Sequence, residues 1–210
     1  MIDDSRNWDI LIIGGASGSG KTSINRPLAR LYGVDLVRVD DFQCLLEAII
    51  TPEMIPTLHY WKIQPNWRTQ SVDWVVGRLR DISKAWLPGL VAVINDHIEE
   101  GIPMVLEGDF IHPEIASFFS NPRVKTIFLH EPSREQILQN YLEREGKHQP
   151  HRADVSHVFG NWLAENCGSY NIPVIEPRPW SNLLDRVIGL LGRNSTCPFD
   201  LRLLRTGNFD

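Results

Sequence analysis

Cysteine is scarce in this chain. Cys44, Cys167 and Cys197 are the only three, widely separated and odd in number. Such a set suits neither a paired disulfide framework nor a cysteine-rich metal site, and fits buried thiols in a reduced cytosolic setting. Long apolar runs are missing as well. No stretch of 18 apolar residues occurs, and the opening Met1-Ile2-Asp3-Asp4-Ser5-Arg6-Asn7 does not read as a secretory leader. The expectation is a soluble, cytoplasmic protein with no membrane partner. A basic excess is lacking too: 21 Lys and Arg face 26 Asp and Glu, for a formal charge of −5. That balance argues against a nucleic-acid partner held by a general positive field. Internal repeats and low-complexity tracts are absent.

What is present is the composition of a globular protein, 42% hydrophobic and 22% charged over 210 residues. That length accommodates one full α/β domain with a helical insertion, expected over 1–192, and a tail without periodicity over 193–210.

One stretch near the start carries chemistry. From Gly15, the run Gly15-Ala16-Ser17-Gly18-Ser19-Gly20-Lys21-Thr22 satisfies G-x-x-x-x-G-K-[ST], the phosphate-binding P-loop, and Ser23 follows it. Glycines and small residues let backbone N–H groups turn inward around an anion. Lys21 can reach the outer phosphates, and the Thr22 hydroxyl can ligate Mg²⁺. The context agrees. Residues 8–13 form a short, mostly apolar run, as in a parallel strand buried on both faces. Ile24, Leu28 and Leu31 then repeat at helical spacing, and Gly33 stands where a helix ends. Pro27 should kink the first turns of that helix.

Four further strands are expected, over 34–39, 102–106, 124–129 and 172–176, with Pro173 placing the last at an edge. Together with the first they predict a parallel five-stranded sheet in a three-layer α/β/α fold. Ligands in such sheets gather beyond the carboxyl ends of the strands. There the sequence puts Asp40-Asp41-Phe42 and Glu107-Gly108-Asp109-Phe110. One of the paired aspartates could accept a proton while the other holds Mg²⁺ or its waters, and Glu107 could act through the metal shell or as auxiliary base.

Between these edges lies a helical, aromatic region over 43–100, the expected acceptor-binding part. Its apolar spacing suggests a short helix through Ile50, then separate helices around Val72–Leu79 and Leu90–Ile98. His59, Arg68 and Arg78 are its candidate substrate contacts, beside Tyr60, Trp61, Lys62, Trp67 and Trp74. Farther on, Ser133 and Gln136 read as a capping box, and Ser181 as the cap of the closing helix. The basic, turn-rich segment 144–154 is the expected lid, with Arg144 or Arg152 closing over spreading negative charge. Pro177-Arg178-Pro179-Trp180 would lie on the nucleotide side, with Arg178 the contact. His148, His151 and His157 have no Cys partner and no helical acid pair, so a zinc site is not expected.

Together these motifs resemble the small-molecule P-loop kinases. Ile55-Pro56-Thr57-Leu58-His59 and the run from Val105 to Pro113 are similar to 2-phosphoglycerate kinases, which carry Pro-x-Leu-His and Glu-Gly-x-His-x-x-Pro stretches. In this chain Phe110 occupies the family's His position, and Pro113 stays in step. Val39-Asp40-Asp41-Phe42 equally resembles uridine and nicotinamide riboside kinases, which implies Asp40 as base and Glu107 as helper. The reading implied is a kinase moving the γ-phosphate of ATP to a hydroxyl on a phosphorylated acid, nucleoside or sugar-like acceptor. In it Lys21 neutralises the phosphates, and Thr22 with Asp41 or Glu107 places Mg²⁺. A monomer or homodimer would suffice. The alternatives are an NTPase switch or a nucleotide-binding sensor acting on a protein partner; the Asn-Lys-x-Asp guanine reader of a GTPase switch is missing.

Overall fold

A computed structural model describes residues 6–192. Five parallel strands lie in the order β2-β3-β1-β4-β5: β1 (Ile10–Gly14), β2 (Asp35–Arg38), β3 (Met104–Gly108), β4 (Val124–Leu129) and β5 (Val174–Ile175). Because all run the same way, every strand delivers its following residues to one edge. Seven α-helices connect and cover them: α1 (Thr22–Tyr32), α2 (Val39–Ile49), α3 (Tyr60–Ile63), α4 (Val72–Glu100), α5 (Arg134–Glu145), α6 (Pro150–Gly168) and α7 (Leu183–Leu191). Short 3-10 turns interleave. No described helix is long and apolar enough to cross a membrane.

Strand alternation divides the core into two halves. Ile10, Ile12, Met104 and Leu106 face one side and pack with α4 and α6, through residues such as Leu90, Ile94 and Phe159. Leu11, Ile13 and Val105 face the other and pack with Leu28 and Leu31 of α1 and Val187 and Ile188 of α7. The central strands are buried on both faces, so they read as unbroken apolar runs.

Several local expectations are corrected. The break foreseen between Val72–Leu79 and Leu90–Ile98 does not exist: α4 is one helix of 29 residues that continues through Pro88. Ile82, Ser83, Trp86 and Leu87 are buried and carry the stripe across the gap, and its tertiary packing outweighs the lost hydrogen bond. The second helix begins at Val39 and not beyond Phe42, so Asp40 and Asp41 sit in its first turn. The capping box is half made: Ser133 accepts from the Gln136 N–H, while the Gln136 side chain turns to Asn140. Glu131 takes the Ser133 N–H in its place. Asn182, not Ser181, stands at the start of α7. The open stretch foreseen around Arg152 is shorter, because Pro150 starts α6 in the first-turn position where its missing N–H costs nothing. Cys197 and the tail 193–210 lie outside the described residues.

Candidate active site

The loop after β1 builds an anion cradle. Gly15 and Gly20 have φ of 144° and 89°, conformations closed to side chains. A Cβ on Gly15 would strike the Leu129 carbonyl oxygen, and one on Gly20 would strike the Trp180 ring. Lys21 is only 5% exposed. Its Nζ donates to the carbonyls of Gly15 (2.8 Å) and Ala16 (2.9 Å) and pairs with Asp109 at 2.5 Å. Ser17, Gly18, Gly20, Lys21, Thr22 and Ser23 line a cavity of about 510 Å³. Gly15, Ala16 and Ser19 shape the loop behind that wall. The Ser19 hydroxyl is buried without a partner in the protein, and the first turn of α1, whose Ser23, Ile24 and Asn25 N–H groups are bonded to the Gly20 and Lys21 carbonyls, brings the positive end of the helix dipole to the same wall. This donor set fits a chain of phosphates, and the Thr22 hydroxyl on the same wall fits the ligation of Mg²⁺.

Opposite the cradle stand the acids. Register places Arg38 beside Glu107 and Glu107 beside Ile13, so β2 and β3 bring their last residues to the P-loop strand. The Arg38 guanidinium binds Asp40 (3.1 Å), Asp41 (3.4 Å) and Glu107 (3.4 Å). Burial pushes the Asp40 pKa above the ordinary aspartate value and the Asp109 charge pushes it further, against the pull of Arg38 and Lys21. Burial likewise raises Glu107, which is 6% exposed, with Lys21 pulling the other way. Groups that hold a proton more tightly than usual suit proton transfer. Asp40, Glu107 and Asp109 all line the phosphate cavity; Asp41 does not, and its carboxylate is turned outward.

A second cavity of about 500 Å³ adjoins the first. Ser17, Asp40, Asp109 and Arg152 line both, so they form the partition. Arg152 donates to Ser17 Oγ at 3.3 Å and stacks on Tyr141, and it shares Glu145 with Arg144. Burial alone would raise the Glu145 pKa, but hydrogen bonds from Arg144 and Gln149 and the two arginine charges hold it at about 2. Asn140 completes this wall, donating to the Gly18 carbonyl at 2.9 Å. Arg144 and Arg152, from the segment expected as a lid, both border the cavity beside the P-loop, at the facing ends of α5 and α6.

The remaining candidates separate. Arg68 lines the second cavity, with its guanidinium over Trp67. Arg78 lies elsewhere, beside a smaller hollow with Trp74 and Tyr60, and pairs with Asp81. His59 is 1% exposed in the 3-10 turn Pro56–His59 and lines neither cavity. Arg178 makes a two-pronged pair with buried Glu131 (2.9 and 2.7 Å), which anchors the loop after β5, and it is Trp180 of that loop that reaches the phosphate cavity. Among the described residues no group of three or more His, Cys, Asp or Glu side chains is arranged to hold a metal ion.

Arg38, Asp109, Asn140 and Trp180 escaped the sequence reading as site residues. Asp109 was open to discovery, since it lies two residues from Glu107 and side chains at that spacing share a side. Arg38 ends a strand just before two acids, a weaker cue. Asn140 carries no local signal, because only the packing of α5 brings it to Gly18.

By fold the chain is a P-loop domain of the shikimate-kinase-like type. It superposes on shikimate kinase from Acinetobacter baumannii in complex with shikimate with a TM-score of 0.55 and 17% identity, covering 89% of this chain and 94% of that one. A gluconokinase from Sinorhizobium meliloti gives 0.53 with 16% identity over 88% and 91%. By sequence the chain is similar to 2-phosphoglycerate kinases. That of Pyrococcus horikoshii is 27% identical over 180 residues, which cover 80% of this chain and 58% of the relative. That of Methanothermobacter thermautotrophicus is 30% identical over 205 residues, covering 89% and 66%. The chain thus spans about three fifths of the length of the first of these relatives. No protein-family model matches it.

Proposed function

We propose that this protein is an ATP-dependent kinase that transfers the γ-phosphate to a hydroxyl of a small molecule. One observation carries the reading: two cavities of similar size meet at a partition made of Ser17, Asp40, Asp109 and Arg152. The triphosphate would occupy the P-loop side and the acceptor the other. The sequence likeness to 2-phosphoglycerate kinases supports the reaction class.

In this reading Lys21 leaves Asp109 for the outer phosphates, and the loop N–H groups hold the rest of the chain. Asp40 accepts the proton of the acceptor hydroxyl, whose oxygen forms the new bond to phosphorus. The bond from phosphorus to the bridging oxygen breaks, and ADP leaves with its electron pair. Arg152, with Arg144 behind it, balances charge on the phosphoryl oxygens. Arg38 holds Asp40 and Glu107 in place from below. Mg²⁺, held by Thr22 and a carboxylate of the partition, with Asp109 nearer the cavity than Asp41, would neutralise the phosphates when bound. Such chemistry is positioning and electrostatics, for which this set of side chains suffices.

The test is incubation with Mg²⁺ and γ-labelled ATP in a broad pool of hydroxyl-bearing metabolites, with the wild type and Asp40→Asn compared. The expected result is label on one metabolite, with turnover at least ~100-fold lower in the variant and ATP binding retained. Free labelled phosphate with no labelled metabolite, or an unchanged rate in the variant, contradicts the proposal.

A further inference from the structure

The acceptor cavity has a chemical character of its own, and it bears on what the enzyme phosphorylates. This step rests on the phosphotransfer reading above and names the acceptor class. Four aromatic side chains, Trp61, Trp67, Phe110 and Phe159, face the cavity. Trp61 and Trp67 meet edge to face, with ring centroids 5.1 Å apart, and Arg68 is seated over the Trp67 ring at 4.6 Å. Arg68 is exposed, and stacking on the ring restrains its guanidinium, which lowers the entropy lost when it binds an anion.

Charge along the walls is balanced, two cations against two anions. Of the lining residues the cations are Arg68 and Arg152 and the anions Asp40 and Asp109. Arg152 is already paired with Glu145 and reaches into the phosphate cavity, and both acids stand on the partition. Arg68 is therefore the one lining cation that belongs to this cavity alone. A small acid carrying both a carboxylate and a phosphate would bring several negative charges to a wall with one cation to spare. Unpaired charge in such a setting is costly, and flat rings against these walls are favourable.

We infer that the acceptor is a flat-ring alcohol carrying a single negative charge. Its ring lies between Trp61, Trp67 and Phe110, its anionic group meets Arg68, and its hydroxyl points to Asp40. The chain would then differ in acceptor from the 2-phosphoglycerate kinases it resembles. The presence of Phe110, where those kinases carry His, accords with the change from a polar wall to an aromatic one.

Calorimetric titration of the protein, saturated with Mg²⁺ and a non-hydrolysable ATP analogue, tests this. The probes are para- and meta-(hydroxymethyl)benzoate on one side and 2-phosphoglycerate on the other. At least one ring acid should bind on the order of 10-fold more tightly than 2-phosphoglycerate, and Trp67→Ala should weaken it by a similar factor. Trp67→Leu keeps an apolar side chain while removing the ring and the seat of Arg68, and should show the same loss if the Ala variant does not fold. The affinity for the ATP analogue should not change, since Trp67 does not border the phosphate cavity. Tighter binding of 2-phosphoglycerate, no binding of either ring acid, or full affinity in the Trp67 variants overturns the inference. Binding is read without turnover, so a failure of phosphotransfer shows separately: ring acids would bind while label from ATP reached no acceptor.

Discussion

Lys21 and Asp109 hold each other across the phosphate cavity, and each has a different partner waiting. Phosphates would draw Lys21 away, leaving Asp109 free to face a metal ion or its waters. Arg38 plays the steadier part, bound at once to Asp40, Asp41 and Glu107. Without it three carboxylates would crowd one strand edge with no charge between them. Glu107 bears the greatest burial of the three, and its ionisation works against the fold. Its pKa is raised in the folded chain, so its stabilising contribution is complete below the ordinary glutamate value of 4.5 and is lost as pH rises through the raised value. Glu107→Gln should therefore unfold at a higher temperature than the wild type at pH 7. That advantage should shrink towards pH 4, and thermal melts at both values check it. A variant less stable at pH 7 would mean that the ion pair with Arg38 outweighs the cost of burial.

At the scale of elements, the hairpin of α5 and α6 connects the two cavities. Glu145 closes α5 and binds Arg144 next to it and Arg152 one turn into α6, across a turn opened by Gly146. Tyr141 and Ser156 bond deeper in the same pair of helices at 2.7 Å. Because the Glu145 pKa is lowered to about 2, its contribution is present above 4.5 and is lost as pH falls towards 2. The network is partly exposed, so screening limits it to about 1 kcal/mol. Glu145→Gln should lose up to that much in urea unfolding at pH 7, with the loss smaller at pH 3. Equal losses at both values would point to shape and not charge.

How much of this was legible in the sequence also follows the elements. The P-loop could be read because its geometry is local: strand, glycine turn, lysine and helix are contiguous, and their spacing is their function. The parallel five-stranded sheet followed from apolar runs that burial on both faces makes continuous. The unbroken course of α4 could not be read from spacing around Leu79 and Leu90 alone, because what holds it together is packing of Trp86 and Leu87 against distant parts of the core. The start of α2 at Val39 escaped for a related reason, since β2 ends at Arg38 and runs straight into a helix that opens on a β-branched residue, with no turn residue between. Arg178 looked like a nucleotide contact and is taken by Glu131, a buried acid that only the end of β4 brings near. Long-range partnerships of this kind leave no mark on local pattern.

At the scale of the whole molecule, one sheet edge gathers the side chains assigned to the proposed reaction. β1 supplies the cradle, β2 the Arg38–Asp40 corner, β3 Glu107 and Asp109, and the loop after β5 sets Trp180 against Gly20. Two cavities then share one wall, which the phosphoryl group would cross in the proposed reaction. The measurement that tests this most directly is a crystal structure with Mg²⁺ and a non-hydrolysable ATP analogue. The prediction is that Lys21 has exchanged Asp109 for the β- and γ-phosphates, and that the γ-phosphate lies at the partition, facing Asp40 and within reach of Arg152. A triphosphate bound away from the Gly15–Thr22 loop, or a Lys21 still paired with Asp109 beside it, would contradict the account.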